Sequence, residues 1–286
     1  MSYKAEVLLD SISEAGARLT TMEVTFPRIV LAEFNTHRMF SRNSASSRAI
    51  PVKKQLERVM TDPFIPVYWG KNQSGMQASA ELVGKEREAA IRDWLTARDH
   101  AVEQAKRLLN TEVHKQITNR LLEPFMWQTV IVSSTEWDNF FALRANKDAQ
   151  PEIRTVAEMM LERFTSSEPT LIRKGEWHLP LIQPEERDGH FEKSESARKI
   201  STARCGRVSY LTHDGKRDLA ADITLYERLV TGGHMSPLEH VATPSFYVPA
   251  VSDFGDVHSP QSNWIGNFHG WKQLRKFIPS EAIFQG

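Results

Sequence analysis

The chain has 286 residues, 40% of them hydrophobic and 25% charged, the profile of a globular protein that buries a sizeable core. Its 36 Lys plus Arg balance 36 Asp plus Glu, so no global field draws it to a membrane or to polymeric nucleic acid, and a small phosphorylated molecule is the better partner class. The single cysteine, Cys205, excludes an internal disulfide and a zinc site built on several cysteines.

At the start, the apolar run Val7–Leu9 is too short for a signal peptide and is flanked by Glu6 and Asp10. No run reaches membrane-spanning length, so a reducing, cytoplasmic setting is expected. Val24–Phe34 is rich in β-branched and aromatic residues and predicts a strand broken or bent at Pro27, with Lys4–Leu9 as a partner strand. Met60–Gly84 holds three glycines and two prolines and predicts a long surface loop, a candidate lid. The spacing of Ile91, Trp94, Leu95, Val102, Ala105, Leu108 and Leu109 predicts a helix over Lys85–Leu109. A second helix is expected from Thr111 to Leu122, stopping before Pro124. Gln128–Val132 is β-prone and Trp137–Arg144 helical. Pro151–Phe164 predicts a helix with proline at its first position and Asp148 as its cap. Ser166–Lys193 reads as a connector around a short strand at Trp177–Ile182. Helices are expected at Ser194–Tyr210 and Lys216–Val230, the latter stopped by Gly232-Gly233. Ser245–Val248 is strand-like. The tail from Ser252 is loop-rich, with Trp264, Trp271 and a basic cluster at Lys272, Arg275 and Lys276. The mixture predicts an α+β fold, a mixed or antiparallel sheet with helices.

Chemistry concentrates in Thr36-His37-Arg38-Met39-Phe40-Ser41-Arg42-Asn43-Ser44-Ala45-Ser46-Ser47-Arg48, which sets one histidine, three arginines, one asparagine and four serines directly behind an apolar run. Guanidinium forks match phosphate oxygens two at a time, and serine hydroxyls beside them complete a phosphate cradle. The bland alternative is a solvated loop whose serines cap helices. Arg120, in Asn119–Pro124, would by itself be a surface charge. Glu136–Arg144 predicts an amphipathic helix with core aromatics, and Arg144 amid Phe140, Phe141 and Leu143 needs a partner. His234 and His240 lie six apart across Pro237, which is not the H-E-x-x-H metal spacing, so a histidine at a cofactor or a structural histidine is preferred. Cys205 stands between Arg204 and Arg207, which could lower its pKa. A small buried residue is the preferred reading.

Together these motifs resemble the flavin-dependent thymidylate synthases. The family's R-H-R-x-x-S-x-N-x-x-S-x-R signature looks like Thr36 to Arg48, and its phosphate arginine looks like Arg120. Its N-F-x-x-L-R and E-I-R runs look like Asn139 to Arg144 and Glu152 to Arg154. Its R-x-S-Y and G-H-x-S-x-L-E-H elements look like Arg207 to Tyr210 and Gly233 to His240. In the family the G-H-S-E-H element precedes the signature, whereas here it follows. The resemblance therefore implies one domain over 1–286 with circularly permuted motif order. Thr36 stands where the family has an arginine, Ser44 where it has an acidic or amide residue, and Ala49 where it has an aromatic.

The resemblance implies transfer of a one-carbon unit from methylenetetrahydrofolate to C5 of dUMP, with FAD as hydride carrier and NADPH as reductant, in a homotetramer with shared sites. Arg144 then matches the arginine that polarises the pyrimidine. Glu33, Ser44, Ser46, Ser47, Arg48 and Arg120 match substrate contacts, and His37, Arg38, Asn43, Asn139 and His240 match positions that touch FAD. No metal is implied. Thr36 and Ser44 motivate an alternative, hydroxymethylation of dUMP or dCMP. A non-catalytic nucleotide-binding module on the same fold is a third reading.

Overall fold

The computed structural model describes residues 2–187, 191, 193–208, 218–245 and 264–279. Its elements in chain order are β1 (Lys4–Ser13), β2 (Arg18–Pro27), α1 (Leu31–Asn35), β3 (Ser41–Ser44), α2 (Val52–Thr61), α3 (Gly84–Asn110), α4 (Lys115–Thr118), β4 (Trp127–Ser134), α5 (Asp138–Arg144), α6 (Pro151–Ser166), β5 (Thr170–Ile172), α7 (Glu195–Arg207), α8 (Leu219–Thr231), β6 (Ala242–Pro244), β7 (Trp264–Ile265), β8 (Phe268–His269) and β9 (Trp271–Gln273). A five-stranded sheet runs in the order β3-β4-β2-β1-β5, and only β5 is parallel to its neighbour. The fold is α+β. Among the described residues no helix is long and apolar enough to cross a membrane.

The two faces of the sheet are covered differently. Met22, Val24 and Phe26 of β2 and Val130 and Val132 of β4 share a core with Phe34 of α1, Phe140 and Phe141 of α5, and Ile153, Val156 and Met160 of α6. Each such side chain stabilises the fold by about 1.5–3 kcal/mol. The opposite face carries hydroxyls. Ser11 of β1, Thr21 of β2 and Ser133 of β4 are buried there beneath His178 and His240, which belong to the C-terminal half. That half has its own apolar cluster, in which α7, α8 and Leu238 pack around Ile200, Ala203 and Tyr226. A third cluster joins α2 and α3 through Leu56, Val59, Val102 and Phe125.

Several expectations are corrected. The strand breaks at Pro27, one of the two expected outcomes there, but does not resume to Phe34: a 3-10 turn at Arg28–Val30 and then α1 follow. Val30 and Phe34, four apart on one helical face, are both fully buried. The Phe34 ring lies 4.9 Å from Phe26 and 5.7 Å from Phe140, a contact made from a helix that Leu31, Ala32 and Glu33 favour. The helix expected at Thr111–Leu122 is split. Glu112 adopts φ 59°, His114 caps the short α4, and a 3-10 stretch at Asn119–Phe125 runs through Pro124. Gln150, not Asp148, occupies the N-cap of α6. Trp177–Ile182 is not a strand. Only His178 makes a single bridge there, to Ala242, and Leu181 turns the chain at φ 63°. Ser245 follows β6 rather than starting a strand, and 246–248 lie outside the described residues. Met60 and Thr61 finish α2. The rest of the expected loop folds back on itself through Leu82 N–H to the Trp69 carbonyl and the Tyr68 hydroxyl to the Ala78 carbonyl.

Candidate active site

The donor-rich segment follows α1, not a strand. It becomes the edge strand β3 and then turns toward α2. Residues of a strand alternate between faces, and β3 divides its donors accordingly. Ser41 and Asn43 face the C-terminal half: Gln273 Nε2 donates to Ser41 Oγ at 2.9 Å, and Asn43 Nδ2 donates to the Cys205 carbonyl at 2.8 Å. Ser236 Oγ donates to Asn43 Oδ1 at 3.2 Å. Arg42 faces the other way and donates to the carbonyls of Phe34 and His37. Ser44 falls on the same face as Arg42.

The first half of the segment lines a cavity of about 320 Å³ together with α5. His37, Arg38, Asn139 and Arg144 meet here, beside Thr36 and Glu136. The His37 ring stands edge-on to Phe140 at 4.9 Å, and one helical turn later Arg144 donates from Nε to His37 Nε2 at 3.0 Å. Burial, then the Arg144 and Arg42 guanidiniums, hold the His37 pKa down at about 4, so the ring is neutral at pH 7 and can accept that bond. Burial and then Arg38 also depress Arg42. Among the described residues neither Arg38 nor Arg144 makes an ion pair. The two arginines outnumber Glu136, the one acid among the described lining residues, an arrangement suited to an anion.

The second half lines a larger cavity of about 490 Å³. Asn43, Ser46 and Arg48 form one wall, His114 and Lys115 another, and His234 and Ser236 a third. The turn that presents Arg48 is held from behind. Asn119, fully buried, donates from Nδ2 to the carbonyls of Ser47 and Ile50, and Gln128 Nε2 donates to that of Ala45.

Other predicted site residues lie elsewhere. Ser47 is buried and donates to Glu123 Oε1, which also receives Arg120 at 2.6 Å and Arg28 at 2.8 Å. Arg120 lies on a different, open surface with Arg28, Leu31 and Asn35. Glu33, on α1, keeps Oε2 buried and without a hydrogen-bond partner among the described residues. His240 lines neither cavity. It is fully buried, with Nδ1 2.8 Å from Ser133 Oγ, and burial drives its pKa down to about 3. From Ser133 the network continues through Thr21 to His178, whose Nδ1 meets Ser11. Cys205 is buried and its thiol pKa is pushed up by burial, so its carbonyl rather than its sulfur is engaged. Arg207 pairs with the buried Asp222, which also holds Arg204. Ser209, Tyr210 and Tyr247 lie outside the described residues. Sequence reasoning missed Asn119, Glu123 and Lys115. The first two sit inside the stretch singled out for Arg120, and their amide and carboxylate were the available signal.

The family model described as thymidylate synthase complementing protein matches residues 17–170, more than half of the chain. Two solved structures of a UMP/dUMP methylase, PolB from Streptomyces cacaoi, are similar at 16% identity and a TM-score of 0.47. One is bound with 5-Br UMP and the other with 5-Br dUMP. Each match covers 57% of this chain, and 89% and 90% of theirs. No curated protein matches the chain.

Proposed function

The chain belongs to the thymidylate synthase complementing protein family, and from that premise we propose that it transfers a one-carbon unit from methylenetetrahydrofolate to C5 of dUMP, with FAD as bound cofactor and NADPH as reductant. The observation that carries this reading is the pairing of Arg144 with neutral His37 in a cavity that also holds Arg38 and Asn139.

The residues present fit a dinucleotide cofactor. Arg38 faces the cavity with Arg42 behind it and makes no ion pair among the described residues, which leaves its fork for a diphosphate. Asn139, exposed on the rim of α5, adds an amide. When bound, the flavin supplies the hydride chemistry. The protein's part is binding and orientation.

Arg144 supplies the electrostatic part. C5 of a pyrimidine becomes nucleophilic as negative charge moves to the carbonyl edge, and a fixed guanidinium stabilises that charge. His37 accepts one Arg144 N–H, which fixes the fork while leaving the Nη groups for the ligand. Glu33 Oε2 offers an acceptor for a ligand N–H or hydroxyl. Ser46 and Arg48 belong to the phosphate end. No cysteine nucleophile takes part, since Cys205 is enclosed and its thiol pKa is raised.

The test is direct. The purified protein carries flavin absorbance or takes up added FAD, and converts dUMP to a product heavier by one methyl group. A protein that neither holds FAD nor changes dUMP sinks the reading, and a product heavier by one further oxygen assigns hydroxymethylation instead.

A further inference from the structure

We propose that the larger cavity seats the phosphomonoester of the nucleotide, and that Lys115 and His234 hold it together with Arg48. This rests on the nucleotide reading above and extends it to two residues that the signature segment does not contain.

The described residues lining this cavity include Arg48, His114, Lys115 and His234, with hydroxyls from Ser46 and Ser236, and among them there is no Asp or Glu. Arg48 and Lys115, brought together from two separate segments with no acid among the described lining residues, repel one another unless an anion is present. Among the described residues no Phe, Tyr or Trp lines the cavity, so they offer a flavin or pterin ring no stacking platform. A phosphomonoester needs none. It needs charge and several donors converging on one point, which is what the walls offer.

Each donor is set in place by contacts of its own. The carbonyls of Ser47 and Ile50, on either side of Arg48, are both fixed by Asn119. Lys115 Nζ donates to the Ala49 carbonyl at 3.1 Å, which parks the ammonium beside Arg48 with two N–H groups to spare. The Gln116 backbone N–H donates to His114 Nδ1 at 3.3 Å, which leaves Nε2 as the ring's donor. His234 lies so close to Gly232 that a Cβ there would meet its Cδ2 at 3.1 Å, so a side chain at that position would displace the imidazole. Asn43 locks the walls together through the Cys205 carbonyl and Ser236.

The wall formed by Gly206, Leu229 and His234–Pro237 lies beyond residue 170, outside the stretch matched by the family model. The C-terminal half thus completes the phosphate seat within one chain.

Isothermal titration of dUMP, deoxyuridine and tetrahydrofolate against wild type, Lys115→Met and His234→Gln tests this. Each substitution weakens dUMP about tenfold, the loss of roughly one charge-assisted contact, and leaves deoxyuridine and tetrahydrofolate unchanged. Wild-type dUMP binding with unaltered affinity in both variants overturns the proposal, as does a loss confined to tetrahydrofolate. A wild type that binds no dUMP overturns the nucleotide reading itself. Phosphorus NMR of dUMP on the wild-type protein gives a check that needs no variant: inorganic phosphate displaces the bound resonance if the seat recognises the phosphate, and failure to displace it counts against the seat.

Discussion

Arg144 donates to His37 across 107 positions of sequence, joining the last turn of α5 to the start of the donor-rich segment. The bond exists only while His37 Nε2 is unprotonated, and burial together with Arg144 and Arg42 keeps it so. The folded-state pKa of about 4 lies below the unfolded value of 6.5, so the stability from the neutral ring is complete above pH 6.5 and is lost as pH falls toward 4. Proton NMR of the imidazole is expected to find its midpoint near pH 4. A midpoint in the ordinary histidine range would mean that the ring is solvated and the pair is not formed.

Replacing Arg144 separates positioning from charge stabilisation. Arg144→Ala is expected to lower kcat about 10²–10³-fold, the usual effect of deleting a preorganised donor, with a smaller change in KM. His37→Ala leaves the guanidinium present but unfixed and is expected to cost about tenfold in kcat, while His37→Gln, which offers an acceptor, recovers part of it. Equal losses in Arg144→Ala and His37→Ala would contradict this division.

His178 and His240 predict a marked acid sensitivity. Both are fully buried and both pKa values are lowered to about 3, chiefly by burial. Between pH 6.5 and 3 the unfolded chain binds protons that the folded chain refuses, so each ring withdraws on the order of a few kcal/mol over that window. Urea midpoints are expected to fall steadily from pH 7 to pH 5 and to fall less in His240→Gln. A flat pH profile in wild type would refute the buried network.

Asn43 is expected to act as a clamp. Asn43→Ala removes the bonds to the Cys205 carbonyl and to Ser236, leaving a buried carbonyl without its donor, at a cost of about 1–3 kcal/mol. Hydrogen exchange should quicken in α7 and around Ser236 before it does in α6. Uniform quickening across the sheet would argue against a local clamp.

Glu123 and Arg120 make a contrasting pair. Arg120 is half exposed, and its loss is expected to change stability by less than about 1 kcal/mol. Glu123 gathers Arg28, Arg120 and Ser47, so Glu123→Ala is expected to cost more and to weaken dUMP binding by loosening the turn before Arg48. If instead Arg120→Ala weakens dUMP more than Glu123→Ala does, Arg120 reaches the substrate itself.

The helices were largely legible because their signals are local. The apolar spacing of Lys85–Leu109 and Pro151 at a helix start each act within a turn or two, and the structure places α3 and α6 accordingly. Leu31–Asn35 was not legible. The β-branched run before it carries the expected strand on into it, although Leu31, Ala32 and Glu33 favour a helix, and Phe34 packs there on Phe26 and Phe140, the second of them more than a hundred positions away. The polar face of the sheet was also hidden. Alternation in β2 marks Thr21 as solvent-facing, yet it is buried beneath His178, 157 positions along the chain.

For the site, the sequence by itself determined which chemistry is present: the donors of Thr36–Arg48, the arginine ending α5, and with them the family. Those are properties of residue type and short spacing, and they survive any arrangement of the rest. Only the tertiary structure decided which donors reach a cavity. It turned Ser47 toward Glu123, set Arg48 in one cavity lining with Lys115 and His234, and sealed His240 against Ser133. An edge strand has two faces of equal local merit. What distinguishes them is the partner each buried polar group must find, and those partners, like the Cys205 carbonyl 162 positions from Asn43, come from distant chain.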